Sequence, residues 1–235
     1  MKALLFDLLR YAVWGEGEVD RETAEKEISE VYALAKKHDL AQALAYAYEK
    51  LGITDDRLTR EKDIAVFRTE KIKFITEEVS AQLTEAKIPH IPLKGACIRR
   101  LYPEEWMRPS CDVDVYVEPS RVNDASKALE KAGYVMGRRH VHDIAFTSPG
   151  GCTVELHFVL AAEGEQKKAW ELLKNVWEYT VPDGDHRYRM NGEMTYFYHL
   201  SHMARHVQTG GCGIRPFIDM RLIECHRERA EALLE

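Results

Sequence analysis

Residues 111–117, CDVDVYV, alternate strictly. A period of two marks a strand with one buried face. Val113, Val115 and Val117 share one side, and Asp112, Asp114 and Tyr116 the other. Two carboxylates at i and i+2 on one strand face repel each other, which raises at least one pKa unless a cation sits between them. That face therefore needs either solvent or positive charge. Oxygen ligands at this spacing suit Mg²⁺ or Mn²⁺. A D-x-D taken alone is more often a solvent-facing position on an edge strand, so the decision rests on context.

The stretch 152–160, CTVELHFVL, has the same design, with Val154, Leu156 and Phe158 on one face and Glu155 and His157 on the other. If the two strands are neighbours, Glu155 joins Asp112 and Asp114 in one cluster. Three carboxylates on adjacent strands can hold two metal ions, which clamp the attacking and leaving oxygens of a displacement at phosphorus.

The periodicity around these strands predicts an α+β protein. Residues 1–88 read as an N-terminal helical region, with RETAEKEISEVYALAKKH as one helix and TREKDIAVFRTEKIKFITEEVSAQLTEAKIP as a long one closed by Pro89. Residues 89–162 read as the core: a short strand in HIPLKG, a brief helix through ACIRRLY, the CDVDVYV strand, a helix ending near Gly133, then a hairpin of DIAFTS and CTVELHFVL around PGG. This order predicts a small mixed sheet with helices packed on one face. Residues 163–235 read as a C-terminal helical bundle, with helices in EQKKAWELLKNVWEY, GEMTYFYHLSHMARHVQ and RPFIDMRLIECHRERAEALLE. The last reaches residue 235 without a stop signal, which leaves a continuation open.

Composition removes several function classes. At 235 residues, 45% hydrophobic and 31% charged, the chain can bury a substantial core. A net charge of -6 argues against a broad grip on nucleic acid or an anionic membrane, while permitting a local basic pocket. No apolar run has the length of a membrane span. MKALLFDLLRYAVW is interrupted by charge and lacks a small-residue cleavage site, so it does not read as a signal peptide. The five cysteines are scattered and contain no C-x-x-C pair, so neither a disulfide framework nor structural zinc is expected. A reduced, cytoplasmic location follows as the default.

Six ordered blocks give these strands their context: Leu93-Lys94-Gly95, Tyr102-Pro103, Arg108-Pro109, Asp112 with Asp114, Gly133-Tyr134, and Glu155-Leu156-His157. Together they resemble the uncharacterised nucleotidyltransferase family of the DNA polymerase β-like superfamily, over roughly residues 88 to 222. The resemblance implies Mg²⁺- or Mn²⁺-dependent transfer of a nucleoside monophosphate from an NTP. Asp112 and Asp114 would hold the metals, with Glu155 as third ligand and base toward an acceptor hydroxyl. Lys94, the turn at Gly95, and Arg108 would face the triphosphate. Two departures stand out: Lys94-Gly95 occupies the place of the superfamily's usual Gly-Ser pair, and Cys111 that of a small hydroxyl residue.

His199, His202 and His206 fall at i, i+3 and i+7 of one predicted helix. With Asp219 they suit a zinc or iron phosphohydrolase, or they line an acceptor pocket, or they are ordinary hydrogen-bonded helix histidines. His140, His142 and Asp143 are placed on the first hairpin strand, near Glu155. Trp106, Trp170 and Trp177 read as packing residues, and GGCGIRPFID as a turn entering a helix at Arg215.

The expectation is a metal-dependent nucleotidyltransferase using an NTP, ATP first, on a hydroxyl of a small molecule or protein. Asp112, Asp114 and Glu155 are the catalytic and metal-binding residues, and Lys94, Gly95 and Arg108 the nucleotide-binding ones. His142, Asp143, His157, His202, His206, Arg215 and Asp219 are candidates for the acceptor pocket. The alternatives are the histidine-metal phosphohydrolase on His199, His202, His206 and Asp219, and a nucleotide-binding module without turnover. Membrane partners are not expected, and nucleic acid is an unfavoured one.

Overall fold

The structure, a computed structural model, describes residues 2–161 and 167–232. Five helices open the chain: α1 (Lys2–Trp14), α2 (Arg21–Lys26), α3 (Ile28–Lys37), α4 (Ala41–Lys50) and α5 (Asp56–Glu85). The single helix expected over RETAEKEISEVYALAKKH is two, because Glu27 leaves helical geometry (φ -98°, ψ 10°). Side-chain caps set the starts of α2 and α5. Asp20 accepts from the Thr23 amide at 2.9 Å, and Asp55 from the amides of Arg57 and Leu58 at 2.9 and 3.3 Å. The long α5 ends at Glu85, and Lys87 reverses the chain at φ 54°.

Next come β1 (His90–Pro92), the short α6 (Gly95–Ile98) with 3-10 turns after it, and β2 (Asp112–Val117). After them run α7 (Val122–Lys131), β3 (Val135–Arg139), β4 (Asp143–Thr147) and β5 (Thr153–His157). The sheet order is β1-β2-β5-β4-β3. Strands β2 and β5 run parallel, and the other neighbours are antiparallel. Edge strand β3 went unread because its five residues are all exposed and carry no alternation. His140 and His142 lie in the bend before β4, and only Asp143 belongs to the strand.

The C-terminal part holds α8 (Lys167–Leu173), a ribbon of β6 (Thr180–Pro182) and β7 (Tyr188–Met190), α9 (Gly192–Thr209) and α10 (Arg215–Ala232). The helix expected over residues 165–179 is correspondingly shorter, its first two residues lying outside the described ones. The ribbon corrects the all-helical reading of this region. Its turn needs left-handed backbone, which Gly184 (φ 139°) and His186 (φ 55°) supply. Asn191 caps α9 by accepting from the Met194 amide at 2.8 Å.

Two packed faces fix the position of the carboxylates. Val113, Val115 and Val117 are buried with Ile144, Phe146, Val154 and Leu156 against Ile75, Val79 and Leu83 of α5 and Leu129 of α7. Each such side chain contributes about 1.5–3 kcal/mol on burial. A one-residue register slip would drive Asp112 and Asp114 into this core, so the register is strongly specified. On the opposite face Tyr116, Ile91 and Leu93 pack with Met190, Met194 and Tyr198, and Trp177 sits between Tyr116 and Tyr188. A third core joins α1, α3 and α4 to Tyr102, Trp106 and Met107 and to Ile218, Leu222 and Ile223 of α10. Among the described residues no helix is long and apolar enough to cross a membrane.

Candidate active site

Parallel pairing of β2 with β5 sets Asp114 directly opposite Glu155, and Asp112 opposite Thr153. Asp114 is buried, 6% exposed, and an ammonium and an imidazole both meet one of its oxygens. Lys94 Nζ donates to Asp114 Oδ1 at 2.8 Å, and His157 Nε2 lies 2.8 Å from the same atom. His157 Nε2 is also 3.3 Å from Glu155 Oε2, so the imidazole bridges the two carboxylates.

The titration shifts follow from this packing. Burial pushes Asp114 upward, but the hydrogen bond from His157 and the Lys94 ammonium together outweigh it and hold the carboxyl below its usual range. Burial alone would lower His157; its bonds to Asp114 and Glu155 prevail and raise it. Asp112 is raised by burial and by the Asp114 charge beside it. Neighbouring carboxylates need positive charge beside them, and the Lys94 ammonium supplies it at Asp114.

Lys94 reaches Asp114 from an uncommon backbone conformation. It stands between β1 and α6 at φ 40°, ψ -105°, a region that costs a non-glycine residue about 1–3 kcal/mol. Neighbouring hydrogen bonds hold it there. The Leu93 amide donates to Asp114 O at 2.9 Å, and the amides of Cys97 and Ile98 donate to Lys94 O at 3.1 and 2.9 Å. The left-handed position thus falls on Lys94, while Gly95 serves close packing. A Cβ on Gly95 would meet Arg99 Nη2 at 2.9 Å and Ser110 Oγ at 3.0 Å. Arg99 is itself buried, donating to Gly95 O and Ser110 Oγ, and burial together with nearby Arg108 lowers it to about 10.

A cleft of about 270 Å³ opens over this group. Lys94, Glu155 and His157 form one wall, His140, His142 and Asp143 a second, and Tyr198, His202 and Arg205 of α9 a third. Tyr198 and Arg205 were missed by the sequence reading; their spacing with His202, i, i+4 and i+7, was the available signal. Burial and the nearby Lys94 ammonium push His202 down to about 3, so it is a neutral imidazole at neutral pH. A larger cavity, about 520 Å³ and mostly apolar, lies between Cys97, Met190 and Ile223, and none of the site carboxylates lines it.

Other candidates lie elsewhere. Arg108, read as a phosphate ligand, is 7% exposed and bound through Nε and Nη2 to both oxygens of Asp219 at 2.9 Å. Tyr102 donates to the same Asp219 at 2.7 Å. Asp219 is 1% exposed and belongs to this buried network, not to the cleft. Arg215 bonds to Asp39 and to Pro109 O. His199 is buried with Nε2 3.5 Å from Asp219 Oδ2, whereas His206 is exposed and packs its ring 4.5 Å from that of His202. The histidine-metal alternative is therefore not assembled. Among the described residues, the potential ligand atoms that gather within 4.8 Å of one another are those of Asp114, Glu155 and His157. Two carboxylates and an imidazole, with Asp112 on the same strand face, are a donor set that fits a divalent cation.

A family model described as uncharacterised nucleotidyltransferase matches residues 24–231. The chain belongs to this family. No curated protein matches it. Among solved structures, ANT(2'')-Ia in complex with adenylyl-2''-tobramycin is 14% identical, with a TM-score of 0.47 over 70% of this chain and 95% of that one. Lincomycin-bound LnuA, a lincosamide antibiotic adenylyltransferase, is 12% identical, with a TM-score of 0.42 over 66% and 96%. The Megavirus polyadenylate synthase is 13% identical, with a TM-score of 0.45 over 88% of this chain and 38% of that one. The fold is α+β, with helices before and after a five-stranded mixed sheet. The family model begins well upstream of the resemblance read from the motifs and takes in α3, α4 and α5.

Proposed function

We propose that this family member transfers a nucleoside monophosphate from an NTP, ATP first, to a hydroxyl of a small molecule or protein, with Mg²⁺ or Mn²⁺. The observation that carries this reading is the in-register pair Asp114–Glu155, which stands beside a polar cleft with the Lys94 ammonium and the His157 imidazole at its oxygens. Asp112, Asp114 and Glu155 would hold the metal, which when bound neutralises the phosphate oxygens and steadies the leaving group.

The chain's own residues supply the rest. Glu155 borders the cleft and takes the acceptor proton as the acceptor oxygen bonds to the α-phosphorus. The bond from that phosphorus to the bridging oxygen breaks, and pyrophosphate leaves. Lys94 supplies an ammonium to the phosphates, and Gly95 keeps the turn beside it narrow against Arg99 and Ser110. Asp143, His142 and His202 across the cleft orient the acceptor, and His202, being neutral, offers a hydrogen bond without competing for the phosphates. Rigid placement on strands is what such chemistry requires, since positioning supplies most of the acceleration.

The test is a thermal-shift titration of wild type and Asp114→Asn with each NTP, with and without Mg²⁺ or Mn²⁺. Ligand at a hundred times its Kd stabilises by about 2.7 kcal/mol. A metal-dependent shift with ATP that Asp114→Asn abolishes supports the reading. It then justifies following label from α-³²P-ATP onto a panel of hydroxyl compounds. A wild type indifferent to every NTP with metal overturns it.

A further inference from the structure

Lys94 and His157 both bond to Oδ1 of Asp114, and the same His157 nitrogen lies 3.3 Å from Glu155 Oε2. An oxygen with two lone pairs that accepts two short hydrogen bonds is saturated. A cation that takes this oxygen must displace one of these donors, and one that takes Oδ2 instead meets the charge of the Lys94 ammonium across the same carboxylate. Asp114 is also shielded: Lys94, Glu155 and His157 line the cleft, while Asp114 lies among them at 6% exposure.

Lys94 is the donor suited to leave. Its side chain borders the cleft and is 19% exposed, against 12% for His157. His157 has a second partner in Glu155, whereas Asp114 is the hydrogen-bond partner of the Lys94 ammonium among the described residues. The backbone of Lys94 is fixed at φ 40° by hydrogen bonds on both sides, so departure needs only the flexible four-carbon stem to swing.

We propose that Lys94 is a resident counterion that makes divalent-metal binding depend on the nucleotide, a refinement resting on the nucleotidyltransferase reading above. Without nucleotide the ammonium neutralises Asp114 and opposes entry of a second cation. An incoming triphosphate offers the ammonium stronger anionic partners; Lys94 moves from Asp114 to a phosphate oxygen, and the metal takes the freed carboxylate oxygen. One side chain thereby links the two bindings. Because such linkage is reciprocal, metal strengthens nucleotide binding by the same factor. The full chain, lacking nucleotide, is thus held in a charge-balanced state that does not scavenge metal.

The experiment measures Mn²⁺ binding by electron paramagnetic resonance of the free ion. It compares wild type, Lys94→Met, Lys94→Gly and Asp114→Asn, each with and without a non-hydrolysable ATP analogue. Lys94→Met keeps the bulk of the stem, and Lys94→Gly also relieves the positive φ, so at least one folded variant lacks the ammonium. Wild type should bind Mn²⁺ weakly alone and at least tenfold more tightly with the analogue. Both Lys94 variants should bind Mn²⁺ at least tenfold more tightly than wild type without nucleotide, and the analogue should add little further. Mn²⁺ alone should also raise their unfolding temperatures more than that of wild type. Lys94 variants that bind Mn²⁺ no better than wild type in the absence of nucleotide overturn the proposal. The controls separate this from failure of the parent reading: there, Asp114→Asn leaves Mn²⁺ binding with the analogue unchanged, which sinks both.

Discussion

Arg108 and Asp219, 111 positions apart in sequence, form a two-pronged ion pair with both side chains buried. The pair ties α10 to the segment that leads into β2, four residues before Asp112. Tyr102 adds a third hydrogen bond to the same carboxylate. A residue read from sequence as a phosphate ligand is thus an internal brace that holds the entrance to β2 against the C-terminal helices.

Removing one partner exposes how much the brace contributes. Asp219→Ala leaves the Arg108 guanidinium buried without its counter-charge, an arrangement that costs about 3–5 kcal/mol. Replacing both, as Arg108→Met with Asp219→Leu, removes the stranded charge and should recover most of that loss. Urea unfolding of the two variants checks it; equal destabilisation by the single and the double change would refute the brace as described.

Gly95→Ala is predicted to cost about 1–3 kcal/mol, the range of an overpacked site. The added Cβ would fall 2.9 Å from Arg99 Nη2 and 3.0 Å from Ser110 Oγ. Arg99 cannot swing away easily, since it is buried and donates to Gly95 O and Ser110 Oγ. The turn beside Lys94 must widen, so ATP affinity should fall together with thermal stability. A variant with wild-type stability and ATP affinity would show that the close approach has slack.

The strand pattern made most of the carboxylate-bearing face legible. Alternation in CDVDVYV and CTVELHFVL placed the valines in the core and the carboxylates together, and the fold pairs those strands in register. What the pattern could not carry was partner choice for long side chains. Lys94 and Arg108 are both cations near the same motif, yet one reaches Asp114 and the other Asp219, a choice made by helices far along the chain. Histidine spacing misled for a related reason: i, i+3 and i+7 spread over enough of a helix surface that His199 faces the buried Asp219 while His202 faces the cleft. Strand β3 and the β6–β7 ribbon are short or exposed elements held by their neighbours, and local sequence says little about such elements.

Glu155→Gln should separate chemistry from stability. Its carboxylate is one-third exposed and meets His157 at 3.3 Å, a contact whose loss the fold tolerates. Replacing a charge aimed at the reacting centre typically costs at least about 10²-fold in rate. The variant should therefore unfold near the wild-type midpoint while losing nucleotide transfer and most of the metal-dependent stabilisation by ATP. Retention of that stabilisation would remove Glu155 from the metal site and leave it only the role of base.

His202 gives the stability a defined acid limb. Burial and the Lys94 ammonium hold it neutral down to about pH 3, while in the unfolded chain it takes a proton near its ordinary value of about 6.5. Between those values the unfolded state binds more protons than the folded one, so stability rises with pH across that window and falls as the solution is acidified. His157 acts in the opposite sense: its raised pKa contributes stability below about pH 6.5 that is lost as pH climbs through the folded value. Replacing His202 by Asn removes its proton-linked loss without touching the Asp114–His157 bond. Urea unfolding measured from pH 7 down to pH 4 should therefore show a shallower decline for His202→Asn than for wild type. Parallel curves would mean that His202 takes up its proton in the folded protein as readily as in the unfolded chain.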